Sequence, residues 1–226
     1  MRSIGGPAEL YKNRVGINLQ AQPIFVYKSE FKIKDDFLKN FLDTQSFHKD
    51  GGKIKVNLSN SQSILTDYEE LGFIKDRFFS IATNYAKDVL QIDNQLSMPH
   101  SWIAITKKGD DHHEHIHQNA FFSIVYYARI KSGNLHLQLE KSTIEKIFNF
   151  HYQIRNYNIY NSSAWEIVPQ EGDFIVFPAD IRHSTSPNES DEDRIIFGAN
   201  FFLTGETGDQ VQLTKLDLGK TPIEWP

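Results

Sequence analysis

The chain has 226 residues, 13% of them aromatic, a formal net charge of -5 and no cysteine. That length suits one domain with a full core, while the missing cysteines exclude disulfides, zinc–thiolate and iron–sulfur sites. The acidic balance disfavours a nucleic-acid backbone as partner, and no apolar run approaches the roughly 20 residues of a membrane span. A soluble cytoplasmic protein is the expectation.

Residues 1–20 are weakly patterned and predict an extended or disordered arm. Gln22 to Tyr27 reads as a strand. Phe37, Leu38, Phe41 and Leu42 have helical spacing within Asp35 to Asp43, Gly51-Gly52 marks a turn, and Asn57 to Ser63 is polar and loop-like. Thr66 to Leu90 predicts the longest helix, with Asp67 as N-cap and an apolar stripe through Leu71, Ile74, Phe78, Ile81, Tyr85 and Leu90.

After Met98-Pro99 the pattern changes to short strands between turns. Strands are expected at Ser101–Thr106, Phe121–Ile130, Asn134–Leu139, Ala164–Val168, Phe174–Phe177 and Arg194–Phe202. Residues 141–163 carry Phe148, Phe150, Tyr152, Tyr157 and Tyr160 in an irregular insertion that could cover a site. With helices concentrated in the first half, the pattern predicts a mainly β fold with flanking helices, a sandwich or barrel such as a jelly roll. Neither a repeat nor a linker divides it, so 1–97 reads as an arm, strand and supporting helices, 98–203 as the core and 204–226 as a tail.

Four of the nine histidines fall in His112-His113-Glu114-His115-Ile116-His117. Side chains two apart on a strand share a face, so His115 and His117 can meet one metal ion, and His183, just past the apolar strand Phe174–Phe177, is the third candidate. His112, Glu114 and His183 form a competing set with a carboxylate in it. The residues leave both open. His48, His100, His136 and His151 read as ordinary histidines. Arg194 can grip a carboxylate in bidentate fashion, or pair with Asp191, Glu192 or Asp193 beside it.

In order, the chain has Gly109-Asp110, His115-Ile116-His117-Gln118-Asn119-Ala120, Ser123 to Tyr127, Pro169-Gln170-Glu171-Gly172, Phe177-Pro178, His183, and Arg194 through Asn200. Together with the Trp102 strand, this series resembles the iron(II)- and 2-oxoglutarate-dependent oxygenases, most of all a bacterial and phage branch with a His-x-His motif. The chain departs from that branch at Gln118, where the branch has Pro, and at Ile124, where it has Gly. His117 stands where the wider superfamily places a carboxylate.

The resemblance implies a double-stranded β-helix, the cupin-like jelly roll. It implies Fe(II) held by His115, His117 and His183, with His112 and Glu114 in reserve. It implies 2-oxoglutarate as co-substrate with O2, bound by Arg194 and with Tyr127, Asn119 and Asn200 as further candidates. The expected reaction is a dioxygenase hydroxylation of a small molecule or peptide, with 2-oxoglutarate decarboxylated to succinate. Tyr126 and Ser123 are weaker site candidates. Two other functions fit the same histidines: a cupin-like three-His enzyme without 2-oxoglutarate, and a non-catalytic metal-binding module.

Overall fold

A computed structural model describes residues 22–49, 56–142, 146, 153–158 and 160–219. The expected N-terminal arm, the Gly51-Gly52 turn, and residues 143–145, 147–152 and 159 of the 141–163 insertion, His151 among them, lie outside the described residues. Of the insertion's aromatics, Tyr157 and Tyr160 are described, and both are exposed.

The first half supplies β1 (Phe25–Tyr27), α1 (Asp35–Asp43), β2 (Phe47–His48), β3 (Asn57–Ser59), α2 (Ile64–Asp67) and α3 (Gly72–Asn84). Helix α1 forms where its spacing predicts, with Asp35 and Asp36 in the first turn and Leu38 and Phe41 buried.

The long helix expected over Thr66–Leu90 is broken. Tyr68 is extended (φ -121, ψ 111), a short 3-10 turn covers Glu69–Leu71, and a π turn follows α3 over Tyr85–Val89. Asp67 is therefore the last residue of α2 rather than an N-cap, and its carboxylate accepts the Ser61 hydroxyl at 2.6 Å. The break lets Ile64, Leu65 and Leu71 all bury completely in the core that takes Ile74 and Phe78. Burial on both sides of the kink outweighs helix continuity, whose propensity differences are tenths of a kcal/mol per residue.

The second half supplies β4 (Gln95–Thr106), β5 (His112–His115), β6 (Phe122–Arg129), β7 (Leu135–Gln138), β8 (Ala164–Ile167), β9 (Phe174–Pro178), β10 (Arg182–Thr185), β11 (Arg194–Thr204) and a terminal hairpin of β12 (Glu206–Thr207) and β13 (Leu216–Asp217). Every strand expected beyond residue 100 is present. Strand β4 is longer than expected because its first half continues the ladder with β11, and β3 lies where a loop was expected.

Apart from the β12–β13 pair, the strands form two antiparallel sheets. The larger runs β1-β9-β6-β11-β4-β3-β2, the smaller β5-β10-β7-β8. The helices cover one face of the larger sheet, where Phe78 meets Phe174 edge-on at 5.4 Å and Tyr85 meets Phe122 at 4.9 Å. The smaller sheet packs on the other face, joining Leu135 and Leu137 to Val125, Tyr127, Ile175 and Phe177.

Strand β6 is therefore buried on both sides. Phe122, Ile124 and Tyr126 face the helices, and Val125 and Tyr127 face the smaller sheet. That double burial explains its unbroken apolar run. The result is the jelly roll that the sequence pattern predicts, with two facing sheets rather than one closed barrel.

One glycine shapes the space between the sheets. Gly198 on β11 lies opposite Trp102 on β4, and a Cβ there would sit 2.4 Å from the indole ring. The indole fills the space that the glycine leaves. Gly198→Ala should displace the ring and cost about 1–3 kcal/mol. Chemical denaturation with tryptophan fluorescence checks this; an unchanged midpoint and emission would mean that the indole is not seated there.

Candidate metal centre

His115 ends β5, His117 follows in the segment leading to β6, and His183 lies on β10 directly opposite His115. The backbone N–H of His117 donates to the Ala179 carbonyl at 2.9 Å, which ties this segment to the turn before β10. One ring nitrogen from each of the three histidines lies within 4.8 Å of the other two. His183 is buried and the other two are half-buried.

Hydrogen bonds decide which nitrogen each ring offers. Nδ1 of His183 lies 2.9 Å from the Ile181 carbonyl, and Nδ1 of His115 lies 2.8 Å from the His113 carbonyl. A carbonyl only accepts, so both Nδ1 atoms carry the proton. For His117 the same result comes through two side chains. Ser123 donates its hydroxyl to Asn200 Oδ1 at 2.8 Å, so its oxygen accepts from His117 Nδ1 at 2.5 Å.

All three Nε2 atoms are thereby left as bare lone pairs, and those of His115 and His117 face each other at 3.3 Å. Burial pushes His117 down to about 2 and His183 to about 4, with the neighbouring imidazoles adding to the effect, and burial lowers His115 as well. The rings stay neutral, as metal ligands must be. Neutral lone pairs turned toward one another repel without a cation between them. The donor set thus fits a transition-metal ion of the iron or zinc kind.

A β-bulge sorts the rest of the cluster. His183 pairs with His115, but Thr185 pairs with His112, so His113 and Glu114 together oppose the single residue Ser184. The extra residue shifts the alternation. His112 and His115 consequently face the same way, and their rings stack at 4.2 Å. Glu114 turns outward, where its carboxylate lies 3.4 Å from exposed Arg182. The structure brings His115, His117 and His183 together and leaves Glu114 apart from them.

From the three histidines a cleft runs between the sheets, lined by Trp102, Val125, Tyr127, Leu135, Thr185 and Arg194 among others. Trp102 meets the edge of His117 at 5.2 Å. Arg194 is buried at the far end. Its Nη2 donates to Thr185 Oγ1 at 2.8 Å, and both Nη atoms donate to the Ser186 carbonyl at 3.1 Å. Burial lowers its pKa, with Tyr127 and Asp111 opposing the shift. The surface pairing weighed for Arg194 is not formed with Asp191, which pairs with Lys108 at 2.6 Å instead.

Tyr127 lies in the cleft, with burial raising its hydroxyl pKa. Tyr126 points to the helix side and packs on Phe174. Asn119 is exposed in a left-handed turn (φ 56), and Asn200 lies behind Ser123. His48 bonds Asn60 and His136 pairs with Glu166, as ordinary histidines do.

Sequence reasoning missed Thr185 and Gly133. A Cβ on Gly133 would fall 2.1 Å from Arg194 Nη1, so this glycine makes room for the guanidinium. Only its position between two strands hinted at a special role.

Fold and site together define a jelly-roll protein with a three-imidazole site able to hold a transition metal. Residues 100–200 match the model of the family described as "Putative 2OG-Fe(II) oxygenase". No curated protein matches the chain. Among solved structures, a Pseudomonas putida prolyl-4-hydroxylase is similar at 13% identity, covering 81% of this chain and 94% of that one, with a TM-score of 0.53.

HygX from Streptomyces hygroscopicus, with nickel, 2-oxoglutarate and hygromycin B bound, aligns at 11% identity over 81% and 84% of the two chains, with a TM-score of 0.56. A Trichoplax adhaerens prolyl hydroxylase in complex with a hypoxia-inducible-factor peptide aligns at 11% identity over 79% and 83%, with a TM-score of 0.55. At these identities the likeness is one of fold. The family match spans the segment that holds the three histidines and Arg194.

The Ser123–Asn200 pair should matter to metal binding through the His117 tautomer. Asn200→Leu frees the Ser123 hydroxyl to donate to Nδ1, which moves the ring proton to Nε2. Iron affinity in a metal titration should fall about 10–100-fold, whereas Asn200→Asp, which keeps an acceptor, should stay near wild type. Equal affinity for Asn200→Leu and wild type would remove this role.

Proposed function

We propose that the chain is a hydroxylating dioxygenase in which His115, His117 and His183 hold Fe(II) and Arg194 holds the far carboxylate of 2-oxoglutarate. When bound, iron supplies the redox chemistry by which dioxygen oxidises 2-oxoglutarate to succinate and carbon dioxide and oxidises a substrate C–H bond. One observation carries the reading: the cleft that begins at three bare Nε2 atoms ends on a buried guanidinium. A dicarboxylate with a metal-binding keto-acid end at one side and a plain carboxylate at the other suits such a cleft.

The chain's own groups divide the work. The Nδ1 acceptors hold the three imidazoles in place. Arg194 is already hydrogen-bonded to Thr185 and Ser186, so its position is set before a ligand arrives and little order is lost on binding. Thr185 Oγ1 accepts from both Arg194 Nη2 and the His112 backbone N–H, which leaves its own hydroxyl proton to donate into the cleft. Tyr127 offers a second hydroxyl there, and Trp102 and Val125 supply apolar walls that exclude water.

The proposed substrate is a small molecule or a peptide side chain, the kinds of ligand carried in the HygX and Trichoplax complexes. We also take the chain as a single oxygenase domain acting in the cytoplasm, on its cysteine-free composition. No described helix is long and apolar enough to cross a membrane. A cupin-like enzyme without 2-oxoglutarate has no use for a cation at the bottom of the cleft.

With Fe(II) present, the protein should convert 2-oxoglutarate to succinate even without added substrate. Arg194→Ala should raise the 2-oxoglutarate concentration needed by about tenfold or more while leaving the iron requirement unchanged. An unchanged 2-oxoglutarate requirement would count against the role of Arg194, and the absence of any 2-oxoglutarate binding by the iron-loaded wild type would overturn the reading as a whole.

A further inference from the structure

A fourth histidine lines the cleft. The bulge in β5 turns His112 inward beside His115, with ring centroids 4.2 Å apart and planes 29° from parallel. The backbone N–H of His112 donates to Thr185 Oγ1 at 3.0 Å, the same oxygen that accepts from Arg194. His112 therefore stands between the three-histidine cluster and the guanidinium, on the path that a bound keto-acid takes.

Its ring is unlike the other three. Each of those has Nδ1 tied to a protein acceptor, whereas the His112 ring makes no hydrogen bond among the described residues. No buried polar side-chain atom among those residues lacks a partner, so its ring nitrogens are open to the cleft rather than sealed off. Nor does His112 join the group whose ligand atoms converge. Stacking against His115 and the backbone bond to Thr185 hold the ring where it is. A polar ring that is positioned but unpaired, facing a cleft, is set to bond what enters.

We propose that His112 binds the co-substrate rather than the metal: its ring N–H donates to the 1-carboxylate of the 2-oxo acid, at the end next to the three histidines. This rests on the function proposed above. The chemistry is complementary. Imidazole ligands place no anionic group on a divalent ion, so the keto-acid would be the anion at the centre, and the His112 ring, open to the cleft, offers it a donor. Arg194 grips one end of the dicarboxylate and His112 the other.

The test uses the full-length protein loaded anaerobically with Fe(II), with iron content measured and 2-oxoglutarate binding followed by the visible charge-transfer band and by calorimetry. His112→Phe keeps a flat ring for stacking but has no N–H, and should bind 2-oxoglutarate about tenfold or more weakly with iron retained. His112→Gln restores a donor and should recover binding to within about threefold of wild type.

His112→Phe binding as tightly as wild type would overturn the proposal. Loss of iron in His112→Phe would make His112 a metal ligand instead, and His112→Gln as weak as His112→Phe would also overturn the proposal, because a restored donor would then not restore binding. If the iron-loaded wild type binds no 2-oxoglutarate, the oxygenase reading itself fails. If the wild type binds and His112→Phe matches it, only the role of His112 fails.

Discussion

Three imidazoles are held with their lone pairs facing inward, and the architecture around them exists to keep them so. Left free, the rings would turn their bare nitrogens to water. Here each Nδ1 is tied to an acceptor, the Ile181 carbonyl, the His113 carbonyl or the Ser123–Asn200 pair. Desolvation keeps the rings uncharged. Lone pairs that face one another repel without a cation between them, so a cation bound there would also stabilise this region.

The scaffold behind these rings is the larger sheet. Strand β6 and its neighbours β9 and β11 are packed on both faces, by helices on one side and by the smaller sheet on the other. The residues behind the cluster, Ser123 on β6 and Asn200 on β11, belong to those strands, where backbone movement is least affordable. The smaller sheet contributes the His115 and His183 rings through β5 and β10, and His117 follows β5 on the way to β6. The centre thus spans two sheets, and any slip of one against the other would separate Ser123 from His117.

The cleft has a polarity of its own. One end offers lone pairs and the other a cation, joined by apolar walls. Arg194 is buried against Thr185 and the Ser186 carbonyl, with the missing side chain of Gly133 giving it space. A desolvated guanidinium binds a carboxylate more tightly than a hydrated one.

Much of this was legible in the residues. Strand positions beyond residue 100 follow from apolar runs bounded by turns, because a strand buried on both faces needs such a run wherever it lies. The histidine pair, His183 and Arg194 stand out for the same reason: few residue types can do their chemistry. The long helix was not legible, since its break at Tyr68 is set by where Ile64, Leu65 and Leu71 find a core.

Strand spacing alone did not choose between His115–His117 and His112–Glu114, since both pairs have it; only the family resemblance favoured His115–His117. The decision lies in the partner strand, where Ser184 alone faces both His113 and Glu114, so the bulge turns His112 in and Glu114 out. By itself the sequence determined the chemical groups and the strands that carry them; only the pairing of β5 with β10 decided which of those groups meet, because a side chain's face depends on register, and register belongs to two strands at once.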